Sequence, residues 1–138
     1  MAHAVRPSEV VALRVRQLRQ ARGWSARVLA ERCAELGAPD IDRIRIANLE
    51  SGRRRAVSID ETFALAYALD VSPLHLALPL EVVPVEVTPG YFADAQVLRA
   101  WLRGLLPLPG QDVRTYRSQV PEEDWPEVAE LDDEGGER

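Results

Sequence analysis

The stretch Ile46-Ala47-Asn48-Leu49-Glu50-Ser51-Gly52-Arg53-Arg54-Arg55 decides how the chain is read. Ile46 and Leu49 stand three apart, the spacing at which two side chains share one face of a helix, and Gly52 follows where such a helix stops. Three consecutive guanidiniums come directly after it. Counting back, Asp40 or Asp42 supplies an N-cap, so the segment predicts a short helix ending at Glu50 or Ser51. With Ile46 and Leu49 turned inward, the 3.6-residue period sends Arg43, Ile44, Arg45 and Asn48 toward solvent. Ile44 stays open between that face and the core.

The same periodicity places four more helices around this one. A first helix is expected from about Ser8, its N-cap, to Arg22 before Gly23, with Val11, Val15 and Leu18 as the buried stripe. A second opens at Ser25, with Trp24 stapling its entrance, carries Val28, Leu29, Cys33 and Leu36 inward and ends at Gly37. The fourth begins with the capping box Ser58 and Glu61 and turns Phe63, Leu65, Ala66 and Leu69 inward. Ser72-Pro73 starts a short fifth helix that ends before Pro79. Five helices in 79 residues predict an all-α bundle over 8–79. Val83, Val85 and Val87 alternate around Pro84 and read as one edge strand, followed by a helix over about 94–103 with Val97, Leu98, Trp101 and Leu102 on one face. Residues 80–109 therefore form a strand-plus-helix extension, a candidate dimerisation surface. Residues 110–138 read as a flexible tail, with disorder expected over 121–138, where nine acids face one Arg.

Composition limits the classes of function. A chain of 138 residues, 46% hydrophobic and 28% charged, is an ordinary globular size and mixture, and no apolar run approaches the ~20 residues of a membrane span. One cysteine makes no internal disulfide and the first residues carry no apolar signal segment, so a cytoplasmic location is expected. The net charge of −5 is split: residues 1–79 hold 12 Arg against 9 acids, residues 80–138 hold 5 Arg against 13. A basic half beside an acidic half fits a polyanion partner for the first. No metal site is expected, because Cys33 lies on an apolar face and neither His3 nor His75 has a second ligand at metal spacing. No phosphate loop, nucleophile elbow or convergent carboxylate pair appears, so no catalytic residue, cofactor or enzymatic activity is expected.

Two helices and a turn, the second followed by Glu-x-Gly and Arg, resemble the helix-turn-helix of the Cro and lambda-repressor type, the XRE family. Val15 to Ser25, Leu29-Ala30-Glu31, Ala47 to Arg54 and Ala64 to Pro73 carry the resemblance, which spans residues 11–79. Ile46 to Arg55 and Val85 to Gly90 are similar to a subgroup of small actinobacterial regulators of that family. The resemblance implies a five-helix lambda-repressor-like bundle and an ion pair between Arg19 and Glu50. Two departures stand out. Ala30 and Glu50 lie 20 positions apart, longer than in the family's short form, and Ala26 replaces the glutamine that commonly opens its second helix.

These readings converge on double-stranded DNA as partner. A helix of eight residues is ~12 Å long, matching a major groove ~12 Å wide. Arg43, Arg45, Asn48 and Ile44 are the expected base-reading set, since Arg forks to guanine, Asn pairs with adenine and an aliphatic group meets the thymine methyl. Arg53, Arg54 and Arg55, with Ser25 and Arg27 at the positive start of the second helix, are expected on phosphates. The expectation is a homodimeric transcriptional regulator. The competing class is an antitoxin-like or adaptor module that uses the same bundle to hold a protein, motivated by the acidic second half. An effector ligand is not legible at this level.

Overall fold

The computed structural model describes residues 4–126. Its elements are α1 (Pro7–Ala21), α2 (Ala26–Glu35), α3 (Arg43–Glu50), α4 (Ile59–Leu69), α5 (Pro73–Ala77), β1 (Pro84–Thr88), β2 (Tyr91–Asp94), α6 (Ala95–Leu102) and α7 (Val113–Ser118), with a 3-10 turn at Glu122–Asp124. The architecture is mostly helical with a small two-stranded antiparallel sheet. Two compact units divide the chain, Met1–Ala95 and Gln96–Arg138.

Short-range side-chain bonds to the backbone start most of these helices. The Oγ atoms of Ser25, Ser58 and Ser72 accept from the N–H of Val28 (3.2 Å), Glu61 (3.0 Å) and Leu74 (3.2 Å), and Asp42 Oδ1 accepts from Arg45 N–H (2.8 Å). Each such cap contributes ~1 kcal/mol. α1 differs from the sequence reading. Arg6 is its N-cap and Pro7 its first residue, because proline has φ preset for a helix and no N–H to satisfy. Ser8 is thereby released from capping, and its Oγ accepts from Val57 N–H (3.1 Å) in the loop before α4.

One apolar cluster binds the five helices of the first unit. Val11 and Val15 of α1, Leu29 and Cys33 of α2, Ile46 and Leu49 of α3, Leu65, Ala66 and Leu69 of α4, and Leu76 of α5 are all buried in it. α3 is therefore seated by two side chains three residues apart, and Leu49→Ala would cost about 2–5 kcal/mol in lost burial and cavity. Phe63, read as inward-facing, is instead 58% exposed. The arc formed by Leu65, Ala66, Ala68 and Leu69 already fills the core side of α4, and Phe63 lies past its edge. With Ile59 and Tyr67 it makes an exposed stripe at i, i+4 and i+8.

The single expected edge strand is half of a hairpin. β1 and β2 pair with Val85 opposite Ala93 and Glu86 opposite Phe92, and the register shifts between Glu86 and Thr88. Val5 adds a parallel bridge to β1, donating to Pro84 O (3.1 Å) and accepting from Glu86 N–H (2.8 Å). These bonds place the hairpin with the helical bundle, whereas the sequence reading had drawn a boundary after residue 79.

In the second unit, residues expected to be flexible carry α7 and the 3-10 turn. Asp112 caps α7 by accepting from Thr115 N–H (2.8 Å), Tyr116 Oη donates to Trp101 O (2.7 Å), and Trp125 Nε1 donates to Val120 O (2.9 Å). On α6, Leu98 is buried, while Val97 and Leu102, read as sharing its inward face, are exposed. The rest of the expected disordered tail, residues 127–138, lies outside the described residues, as does His3.

Candidate nucleic-acid interface

α3 presents the predicted face. Burial of Ile46 and Leu49 leaves Arg43, Ile44, Arg45 and Ala47 exposed and Asn48 half-buried. Ile44 is 64% exposed, so the alternative left open for it resolves away from the core. Its side chain therefore adds nothing to the core of this unit and stands between Arg43 and Arg45 on the exposed side of α3. Asp40, Asp42, Ile44, Arg45, Asn48 and Arg54 surround one shallow depression of about 330 Å³.

Glu61 of α4 organises the arginines at the exit of α3. Arg54 forks onto it, Nη2 to Oε1 at 2.7 Å and Nη1 to Oε2, while Arg45 Nε lies 3.4 Å from Oε2. The Arg54 hydrogen bonds above all, helped by its charge, Ser58 Oγ and the charge of Arg45, hold the Glu61 carboxyl down at about 2 against partial burial. Arg54 N–H also donates to Asn48 O (3.3 Å), which ties the loop back to the helix. The sequence reading assigned Arg54 to phosphate and Glu61 to helix capping alone. In the folded chain Arg54 is committed to a carboxylate; Ser58 caps α4 and donates its hydroxyl to Glu61 Oε1 (3.2 Å), while the Glu61 carboxylate clamps the α3 exit.

The other arginines fall into two groups. Arg53 and Arg55 are exposed, and Arg6 Nη1 donates to Arg55 O (2.8 Å) while its Nε bonds Glu9 Oε1 (2.9 Å). Arg6, Arg16, Arg54 and Arg55, together with Ser51 and Gly52, line a groove of about 310 Å³ running from α1 to the loop after α3. Arg6 and Arg16 were not anticipated as site residues; the available signal was Arg16 on the face of α1 that Val11 and Val15 leave free. On α2, Ser25 Oγ is spent on its cap and Arg27 is exposed, with Glu31 3.8 Å away. These two residues lie outside the depression beside α3.

Beneath this surface Arg19 locks α1 to α3. Its Nε and Nη2 bond Glu50 Oε1 and Oε2 at 2.8 and 3.1 Å, and its Nη1 bonds Trp24 O (2.8 Å), so one guanidinium fixes the helix end and the turn before α2 together. Both side chains are mostly shielded from solvent, where a forked pair keeps its geometry. The result is a rigid support under an exposed polar face.

Among the described residues no group of three His, Cys, Asp or Glu could hold a metal, and no helix is long and apolar enough to cross a membrane. Burial pushes the Cys33 thiol up, away from the reactive thiolate. No family model, curated protein or solved structure matches the chain.

Proposed function

We propose that the chain is a sequence-specific DNA-binding transcriptional regulator of the helix-turn-helix type, with the first five helices as a lambda-repressor-like bundle of the XRE class, acting in the cytoplasm. The observation that carries this reading is the exposed side of α3. Arg43, Ile44, Arg45 and Asn48 stand on a capped helix of groove width, anchored from below by Ile46, Leu49 and the Arg19–Glu50 fork. In this reading α3 enters the major groove. Arg53 and Arg55, with Arg16 from the neighbouring groove, take phosphates on one side, and Ser25 and Arg27 take them on the other. Arg54 positions the loop through Glu61 instead of gripping the backbone.

The regulator is proposed to bind as a homodimer, since two-fold half-sites ~34 Å apart are how such units gain specificity. Residues 80–109 and the exposed stripe Ile59, Phe63 and Tyr67 are the apolar surfaces available for pairing. Genomic fragments selected on the protein and then measured by fluorescence anisotropy test the reading. Nanomolar affinity that weakens steeply with salt is expected, and Arg45→Ala or Asn48→Ala should each cut discrimination by about 1–3 kcal/mol against the wrong base. Indifference of the selected site to both substitutions would remove α3 from the groove.

A further inference from the structure

Arg43 and Arg45 stand two residues apart on the exposed side of α3, yet the fold treats them differently. Among the described residues nothing pairs with the Arg43 side chain. Arg45 is held at three points: its backbone N–H donates to Asp42 Oδ1 (2.8 Å), its Nη1 donates to Asp40 O (3.5 Å), and its Nε lies 3.4 Å from Glu61 Oε2. The carboxylate is itself fixed, because Arg54 forks onto it and Ser58 Oγ donates to its Oε1 (3.2 Å). The Glu61 side chain is 12% exposed against 43% for Arg45, so a shielded post on α4 supports a side chain that still reaches solvent.

A guanidinium carries five N–H donors in one plane. Nε faces Glu61 and one proton of Nη1 goes to Asp40, so three protons are left, all on the two terminal nitrogens. Such a terminal pair is the fork that meets guanine O6 and N7. Ordering a long side chain on binding costs rotamer entropy, and the contacts on Arg45 remove much of that cost before a duplex arrives. The neighbouring carboxylate also offsets part of the Arg45 charge. That weakens the pull of a phosphate, which attracts through charge, and leaves intact the direction of the remaining protons, through which a base edge is read.

We propose that Glu61, a residue outside α3, is a positioning residue that sets base specificity by aiming the terminal edge of Arg45 at a guanine in the major groove. In this role, which rests on the DNA-binding reading, Glu61 supports the reading arginine from behind and does not touch the duplex. Selection of duplexes from a random library on the full chain, followed by fluorescence anisotropy, supplies the test. Arg45→Ala locates the base pair in question as the one position whose guanine preference it flattens. There the wild type should favour guanine over adenine by about tenfold or more, and Glu61→Gln should bring the ratio below about threefold while preferences at other positions stand. An unfolded fraction leaves the ratio unchanged, because it weakens both duplexes by the same factor. In the Arg45→Ala background Glu61→Gln should alter nothing at that position, and Leu65→Val, which loosens α4 from the core without reaching the carboxylate, should keep the wild-type ratio. Wild type alone should bind a duplex with 7-deazaguanine there, which lacks the N7 acceptor, about threefold or more weakly.

A full guanine ratio in Glu61→Gln, equal flattening at every position, an effect that survives Arg45→Ala, or indifference to 7-deazaguanine would each overturn the positioning role while leaving the DNA-binding reading in place. Failure of the wild type to select any duplex would instead remove that reading, and the role with it.

Discussion

Replacing Glu61 by Gln removes one charge and almost no volume, and it isolates how the exit of α3 is held. The carboxyl sits at about 2 in the folded chain against an ordinary 4.5, chiefly because Arg54 forks onto it. At 1.36 kcal/mol per unit the charged form gains about 3 kcal/mol; water reaching Arg54 and the more exposed Arg45 screens part of this, leaving an expected loss of about 2 kcal/mol at pH 7. For a unit of this size that loss lowers the melting temperature by roughly 8 °C or more. The pH dependence has a fixed sign. A carboxyl depressed on folding contributes its full stability above about pH 4.5 and loses it as the pH falls toward 2. Chemical denaturation of wild type and Glu61→Gln across pH 2–7 should therefore show a gap that is widest at neutrality and closed near pH 2, with other carboxylates cancelling between the two proteins. A gap below about 0.5 kcal/mol at pH 7, the size of an exposed ion pair, would refute the clamp, as would a gap that persists at pH 2.

Three further outcomes are expected. Arg19→Ala and Glu50→Ala should each destabilise by about 2–3 kcal/mol, with the double variant costing little more than either; additive small losses in a denaturation cycle would show that the fork does not tie α1 to α3. Gly52→Ala should cost about 1–2 kcal/mol, because φ is +78° there while nothing lies within 4 Å of an added Cβ, so an unchanged midpoint in urea would contradict the strained turn. Cys33 should react with a thiol-specific disulfide reagent only as fast as the bundle opens, so that mild urea accelerates labelling; immediate labelling of the folded protein would place the thiol outside the core.

The helix starts were legible because the bonds that make them are local. Ser25, Asp42, Ser58 and Ser72 each satisfy a donor two or three residues ahead, a range that a linear reading covers. Asp112 does the same for α7, yet α7 has no buried residue among those described, so no apolar periodicity drew attention to it. β2 escaped for a related reason. Three of its four residues are exposed, and what defines it as a strand is pairing with β1 across a turn. Within the site, the face of α3 followed from two inward residues and a period of 3.6. The partner of Arg54 did not, since it lies seven residues on and across a loop, on a glutamate already accounted for by its cap. Ile44 shows the limit of periodicity on an eight-residue helix, where a single aliphatic residue is consistent with either side until its neighbours are placed.

The bridge at Val5 bears on the order in which this chain assembles. Its two bonds join positions about 80 residues apart, so their closure entropy is repaid only after the intervening helices have condensed. That seam should zip last and fray first. Amide exchange at Val5 and Glu86 should accordingly run ahead of the bundle interior, and a peptide fused before Val5 would begin beside the hairpin and not at a loose end.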